Sequence, residues 1–176
     1  MNDRSQPFAG VQARSSVDNL LRTVQQHHVQ LSLMADTKAS ILITISSIVL
    51  TIALSRSGDP NLRVALLTLA SAALISLLLA VVAVLPTFAA PRFVPPDFSR
   101  NLLFFGHFAS MPEEEFMEKV ADVLRDDATL YETAVRDIHS LGQYLYRKKY
   151  RYLRYAYVAL IGGFIAATTV EVWYLI

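Results

Sequence analysis

The stretch Asp36-Thr-Lys-Ala-Ser-Ile-Leu-Ile-Thr-Ile-Ser-Ser-Ile-Val-Leu-Thr-Ile-Ala-Leu54 decides the fold of this chain. It starts with two opposite charges, Asp36 and Lys38, and then runs from Ala39 to Leu54 without another charged residue. A helix over this uncharged part is about 24 Å long, slightly short of a hydrocarbon core of about 30 Å. Ser55 lengthens it, and Lys38 can reach the lipid headgroups. We therefore predict a first transmembrane helix over residues 39–55.

The polar side chains of this segment are not scattered. Ser40, Thr44, Ser47 and Thr51 follow one another at steps of four, three and four, so on a helix they share one face. We call these four residues the hydroxyl stripe. Such a face can line an oligomeric pore, or it can serve close helix packing, because small and hydroxyl residues let helices approach in lipid. The sequence leaves both interpretations open.

Two further apolar segments follow. Residues 64–85 carry no charge and predict a second span over 62–85, joined to the first by a turn that holds Gly58, Asp59 and Pro60. The two spans therefore form an antiparallel hairpin. Residues 155–176 predict a third span, interrupted only by Glu171, which either has a functional role or reaches the outer interface. The spacing of Ala159, Gly163 and Ala167 on this span favours helix packing.

The rest of the chain is more polar. Residues 1–14 are interpreted as a flexible arm, and residues 15–38 predict an amphipathic helix. No proline or glycine separates Ser15 from Ser57, so this helix is expected to continue into the first span as one rod. Residues 86–154 predict a helical module, with helices starting near Ser110-Met-Pro-Glu113 and after Asp126-Asp127. The fold class is thus an all-α membrane protein, with the first and last span helices extending into the cytosol.

Composition and charge narrow the function and the orientation. Hydrophobic residues make up 53% of the chain and charged residues 18%, against roughly 25% charged in soluble proteins. A net charge of +1 predicts no nucleic-acid partner. Lysine and arginine number four in residues 1–38, two in 55–63 and ten in 86–154, and five of those ten lie among tyrosines at 147–154. The positive-inside rule therefore places the N-terminus and the module in the cytosol and the C-terminus outside.

The residue types give no support to catalysis. The chain has no cysteine, no glycine-rich phosphate loop and no nucleophile motif, so we expect no catalytic residues and no enzyme. The four histidines lack metal-ligand spacing, so we expect no metal and no cofactor. Arg136 stands four residues after Glu132 and either binds an anion or forms an intramolecular pair. Asp36 and Lys38 either anchor the first span at the membrane interface or contact a ligand at a hinge.

Three stretches together resemble the transmembrane Pycsar effector family of bacterial anti-phage proteins, over roughly residues 17–176. They are Ala35-Asp-Thr-Lys-Ala-Ser-Ile41, Asn101-Leu-Leu-Phe-Phe-Gly-His-Phe108 and Arg136-Asp-Ile-His-Ser-Leu-Gly142. The resemblance implies a homo-oligomeric effector of the bacterial inner membrane. Its activating ligand would be a cyclic pyrimidine mononucleotide (cyclic CMP or cyclic UMP) made by a partner cyclase, and its action would impair membrane integrity and abort the infection.

The same resemblance gives a hypothesis for the nucleotide site, since no cyclic-nucleotide-binding β-barrel motif is present. The residues proposed are those in the family-like stretches that offer phosphate or base contacts: Asp36, Lys38, Asn101, Arg136 and Asp137. Arg136 and Lys38 would meet the phosphate, and Asn101 with a carboxylate would read the base. The alternative function is a membrane anchor or scaffold that recruits a cytosolic partner and forms no pore.

Overall fold

The computed structural model is helical almost throughout the residues that it describes, which are 8, 11–85, 102–103, 108–109 and 111–175. Of these residues 87% are in helices and none is in a strand, which confirms the all-α prediction. The elements, in chain order, are α1 (Ser15–Arg56), α2 (Arg63–Val84), α3 (Glu113–Leu124), α4 (Asp127–Tyr144), a π-helical segment (Leu145–Tyr150) and α5 (Arg151–Leu175).

Helix α1 is a single helix of 42 residues, as the absence of proline and glycine predicts. At 1.5 Å per residue it is about 63 Å long, roughly twice the thickness of a hydrocarbon core. Three helices in the described residues are long and apolar enough to cross a membrane: α1, α2 and the continuous helix Asp127–Tyr174, formed by α4, the π-helical segment and α5. The number of predicted spans is thereby confirmed, while the exact membrane boundaries stay predictions.

The chain divides into two compact units. The apolar unit comprises Leu31–Leu85 and Tyr144–Ile176, and the polar unit comprises Met1–Gln30 and Pro86–Gln143. Helix α1 contributes its first half to the polar unit and its second half to the apolar unit.

Small side chains fill the interior of the apolar unit, and large apolar side chains cover its outside. Its core consists of Ala35, Ala39 and Leu42 from α1, Ala73 and Ala80 from α2, and Leu153, Ala156 and Leu160 from α5. By contrast Ile41, Ile45, Ile48, Ile52, Leu74, Ile75, Leu78, Ile161 and Ile165 are exposed. A helix bundle in lipid has this distribution, because small residues allow close packing and lipid solvates the large ones. The packing therefore supports the spans that the apolar segments predict.

Contacts along the helices define their directions. Ser46 of α1 meets Ser76 of α2 across the turn of residues 57–62, so α1 and α2 form the predicted antiparallel hairpin. Ser76 also meets Ala156 of α5, and Leu85 at the end of α2 meets Lys148, so α2 and α5 are antiparallel as well. Helices α1 and α5 consequently run in the same direction within the apolar unit.

In the polar unit, α4 packs on the first half of α1. The Tyr131 hydroxyl donates to Asp18, and Gly142 lies so close to His28 that an added Cβ would be 3.2 Å from the imidazole Nε2. The Asp126 carboxylate caps α4 by accepting from the backbone N–H and hydroxyl of Thr129, at 3.0 and 2.9 Å. These bonds from Thr129 lower the pKa of Asp126 below its ordinary value.

Helix α3 starts where the sequence predicts, at Glu113 after the proline. Its N-cap is Pro112, which makes no side-chain capping hydrogen bond, and Ser110 lies outside the described residues. Three glutamates in the first turn face the positive end of the helix dipole instead. The rings of Phe108 and Phe116 lie 5.2 Å apart and tie the preceding chain to α3.

Candidate functional site

A half-buried lysine on the π-helical segment, Lys149, contacts α1 in the apolar unit. The Lys149 ammonium lies 2.7 Å from each carboxylate oxygen of Asp36 and 2.8 Å from the Ser32 hydroxyl oxygen. An ammonium group has three N–H donors, so these three acceptors satisfy it completely. The Lys149 side chain is 13% exposed and that of Asp36 41%, so the lysine is the more desolvated partner.

The π-helical segment is what brings these groups together. One wider turn re-aims the side chains that follow it, and such insertions occur frequently at functional sites. On this segment the Tyr150 hydroxyl donates to the Leu31 carbonyl at 3.1 Å, and the Lys148 ammonium donates to the Leu85 carbonyl, also at 3.1 Å. Lys148 thereby places a positive charge at the C-terminal end of α2, where the helix dipole favours it. The segment thus contacts the interior of α1 and the C-terminal end of α2.

Two buried serines link all three helices at the middle of the apolar unit. Ser46 of α1 donates to the Ser76 hydroxyl of α2 at 3.2 Å, and Ser76 donates to the Ala156 carbonyl of α5 at 2.8 Å. Both serines are fully buried. Hydrogen bonds of this kind hold helices together in lipid, at about 0.6 kcal/mol on average. The residue spacing does not single out Ser46, because it stands next to Ser47, which belongs to the more regular hydroxyl stripe.

The hydroxyl stripe itself faces away from the chain's own core. Each of its hydroxyls donates to the carbonyl four residues earlier, at 3.0 Å for Ser40 and Thr44, 2.7 Å for Ser47 and 2.9 Å for Thr51. Three of the four residues are exposed and Ser47 is half-buried. Both interpretations of the stripe, pore lining and helix packing, stay predictions.

The polar unit contains a groove between the first half of α1 and the start of α4. The groove has a volume of about 350 Å³ and is lined by Ser15, Asp18, Asn19, Leu21, Arg22, Gln25, Leu130 and Tyr131. The Tyr131 hydroxyl donates to Asp18 at 2.9 Å. Burial, together with the Asp18 carboxylate, raises the pKa of Tyr131, so the hydroxyl stays protonated as a donor at neutral pH.

Two side chains of this groove, Gln25 and Arg22, have polar groups that can still form hydrogen bonds with a ligand. The Gln25 side-chain nitrogen faces the Asp137 carboxylate at 3.5 Å, at the long limit of a hydrogen bond, so its oxygen remains available. Arg22 is exposed and forms no ion pair or hydrogen bond within the described ranges. The groove thus combines one arginine, one carboxylate, two amides and apolar walls.

Comparison with known families decides the identity of the chain. The family model described as the Pycsar effector protein domain, PycTM, matches residues 19–176, which is nearly the whole sequence. The chain belongs to the Pycsar effector family. It is therefore an anti-phage defence effector, in a family that is linked to a partner cyclase and to membranes. Neither the curated proteins nor the solved structures contain a match to this Pycsar effector.

The nucleotide site proposed from the family-like stretches of this Pycsar effector stays a prediction, and its residues belong to different parts of the chain. Asp36 and Lys38 belong to the apolar unit, whereas Arg136 and Asp137 belong to the polar unit. Asn101 lies outside the described residues. Lys38 is exposed and makes no hydrogen bond or ion pair with the described residues, whereas Asp36 is paired with Lys149. The position of Asp36 before the first span indicates a functional residue, but the sequence does not predict its lysine partner, 113 residues away.

The other predicted ionisable residues have defined surroundings. Arg136 donates to Glu132 through Nε at 2.9 Å and Nη2 at 2.5 Å, so the intramolecular pair is present, and anion binding by Arg136 stays a prediction. Asp137 is buried and faces Gln25. Glu171 on α5 is half-buried, and its Oε2 is buried without a hydrogen-bond partner among the described residues. No three histidine, aspartate or glutamate side chains converge as metal ligands in those same residues.

Proposed function

We propose that this Pycsar effector is activated by a cyclic pyrimidine mononucleotide, cyclic CMP or cyclic UMP, made by a partner cyclase. The activated effector then impairs the integrity of the bacterial inner membrane and stops growth of the infected cell. The observation that carries the proposal is the family match over residues 19–176, in a chain with three membrane-length apolar helices. The cyclic nucleotide is a ligand rather than a resident cofactor.

The packing of the apolar unit supports assembly of several copies. The centre of the three-helix unit is filled by alanine, leucine and serine side chains, several of them fully buried, so a single copy has no open path through it. Permeation therefore requires a passage between copies. The hydroxyl stripe supplies a polar, outward-facing surface on α1 for that passage, because three of its four residues are exposed.

Charge supports an orientation with the N-terminus in the cytoplasm. Five basic residues stand at 147–154, around the π-helical segment and the start of α5, and only two stand in the short segment 55–63. Basic residues at one end of a span bind anionic headgroups of the cytoplasmic leaflet. In this orientation the polar unit is exposed to the compartment in which a cyclase makes its product.

Reconstitution with purified nucleotide tests the proposal. The full chain is inserted into vesicles that contain a fluorescent dye, and cyclic CMP or cyclic UMP is added on the side of the polar unit. We expect dye release with at least one of the two, and none with cyclic AMP or with vesicles that lack protein. Nucleotide binding with intact vesicles would instead identify the effector as a membrane scaffold. Absence of both binding and release would refute activation by these nucleotides.

A further inference from the structure

The groove of the polar unit has the size and the polar groups of a small-ligand site. Its volume of about 350 Å³ falls within the roughly 300–1,000 Å³ typical of such sites. Leu21 and Leu130 provide apolar walls, and the buried Tyr131 provides a rigid floor, held by its bond to Asp18. Sites of this type combine apolar walls with a few placed polar groups that fix the ligand's orientation.

Arg22 is the group that selects the charge of the ligand. It is exposed, lines the groove and pairs with no carboxylate in the described part of the chain. A guanidinium binds two phosphate oxygens through parallel N–H donors. Asp18, one helical turn earlier, adds a negative charge to the same groove. One cation beside one carboxylate favours an anion with a single charge over one with two or three.

The remaining polar groups match a nucleoside. Asp18 accepts from the Tyr131 hydroxyl with one carboxylate oxygen, which leaves its other oxygen for a ribose hydroxyl. Gln25 turns its nitrogen toward Asp137, which leaves its oxygen for an N–H of a base edge. The Asn19 amide offers a donor and an acceptor in the same groove. Singly charged phosphate, free ribose hydroxyl and polar base edge are the three parts of a cyclic mononucleotide.

We propose that this groove is the cyclic-nucleotide site, with the phosphate on Arg22, the ribose hydroxyl on Asp18 and the base between Asn19 and Gln25. The assignment rests on the proposed function for the class of ligand. It differs from the site that the family-like stretches indicate: among the described members of that set, Asp137 contacts a groove residue, Gln25, and none lines the groove. The sensor is then the first half of α1, whose second half carries the hydroxyl stripe in the same helix.

Binding measurements on the full chain in detergent test the assignment, with cyclic CMP and cyclic UMP as probes. Arg22→Ala should weaken binding roughly 10- to 100-fold, since a hydrogen bond to a charged group contributes about 1.5–3 kcal/mol. Arg125→Ala is the matched control, because Arg125 is an exposed arginine of the same unit that is already paired with Asp122. It should bind as the unchanged protein does. Circular dichroism and melting temperature verify that both variants are folded.

A second variant separates recognition from folding. Asp18→Asn keeps an acceptor for Tyr131 but removes the negative charge, so it should reduce the preference for the cyclic nucleotide over the doubly charged linear 5′-CMP. Loss of the fold alone would weaken the binding of both ligands and leave the ratio of their affinities unchanged. If Arg22→Ala binds the probe as tightly as the unchanged protein does, the groove assignment is wrong, and the proposed function is not affected. An unchanged protein that binds neither probe would overturn the proposed function itself, and the groove assignment with it.

Discussion

At the scale of single residues, the ion pair between Asp36 and Lys149 joins α1 to the π-helical segment within the apolar unit. The lysine is mostly buried, and its three donors are all used, by two carboxylate oxygens and one hydroxyl. A buried charge is tolerated only while its partners are present, because desolvation of the unpaired charge is costly. The stability of this junction therefore depends on Asp36 more than the exposure of Asp36 indicates.

We expect Asp36→Ala to lower the free energy of unfolding by about 1–3 kcal/mol, since the Lys149 ammonium loses two of its three acceptors. The measurement is the melting temperature of the purified protein in detergent. Lys38→Ala is the matched control, because Lys38 stands two residues further on α1, is exposed and makes no hydrogen bond or ion pair with the described residues. Its free energy of unfolding should lie within about 0.5 kcal/mol of that of the unchanged protein.

The double variant Asp36→Ala with Lys149→Met gives the decisive comparison for this pair. Methionine fills a similar volume without charge, so the double variant should be more stable than Asp36→Ala alone. Equal melting of the single and double variants would show that the pair contributes no coupling. Such a pair could not be predicted from the sequence. Its members lie 113 residues apart. The basic cluster 147–154 contains five lysine and arginine side chains, and the sequence does not show which of them pairs with Asp36.

At the scale of elements, most helices follow directly from local sequence rules, whereas the π-helical segment does not. Helix α1 is continuous because no proline or glycine interrupts it, and α3 starts at the residue after a proline. Nothing local distinguishes Leu145–Tyr150 from an α-helix, since it contains ordinary helix formers. Its wider turn goes with contacts from Lys148, Lys149 and Tyr150 to distant helices, which a single sequence does not reveal.

The two adjacent glycines of α5 provide a matched test of helix packing. Gly163 is buried against α2, and a Cβ added there would clash with the Cβ of Ala72, whereas a Cβ at Gly162 meets nothing within 4 Å. We expect Gly163→Ala to destabilise the apolar unit by about 1–3 kcal/mol, because α2 and α5 must separate. Gly162→Ala should be neutral or stabilising by up to about 1 kcal/mol, through higher helix propensity.

Melting temperatures of the two alanine variants in the same detergent decide the matter. The predicted order is Gly162→Ala at or above the unchanged protein and Gly163→Ala below it. If both variants melt alike, the close approach of α2 and α5 at Ala72 is not required for stability. The small-residue face of Ala159, Gly163 and Ala167 was predicted from its spacing. That Gly163 is its tightest point depends on the rotation of α2, which the spacing does not give.

At the scale of the whole molecule, the sequence predicts the number of membrane-length helices but not the groove that distant segments form together. Apolar length alone identifies the three spans, because lipid imposes a fixed thickness on any chain. The groove around Arg22 is built from residues of α1 and α4 more than a hundred positions apart, none of which forms a motif. The family-like stretches indicate Arg136 as a nucleotide-binding residue. Arg136 is paired with Glu132, and its part in nucleotide binding stays a prediction.

The hydroxyl stripe leads to the last prediction, which concerns the assembled molecule. If the stripe lines the passage between copies, replacing Ser40 and Ser47 by alanine and Thr44 and Thr51 by valine makes that passage apolar. Each of these hydroxyls donates to a backbone carbonyl of α1 itself, so the single-chain fold should persist. An added permeation barrier of about 1.4 kcal/mol lowers the leakage rate about tenfold. We expect at least this loss in nucleotide-dependent dye release.

Helix α1 supplies its own control for this experiment. Ile41, Ile45, Ile48 and Ile52 each follow a stripe residue, form the neighbouring exposed face, and can be changed together to leucine. This variant keeps an apolar, lipid-compatible face, so its dye release should match that of the unchanged protein. Full release from the stripe variant would mean that the hydroxyls serve contacts between copies rather than conduction. Because nucleotide binding is measured separately in both variants, a change in release can be assigned to the membrane step and not to the sensor.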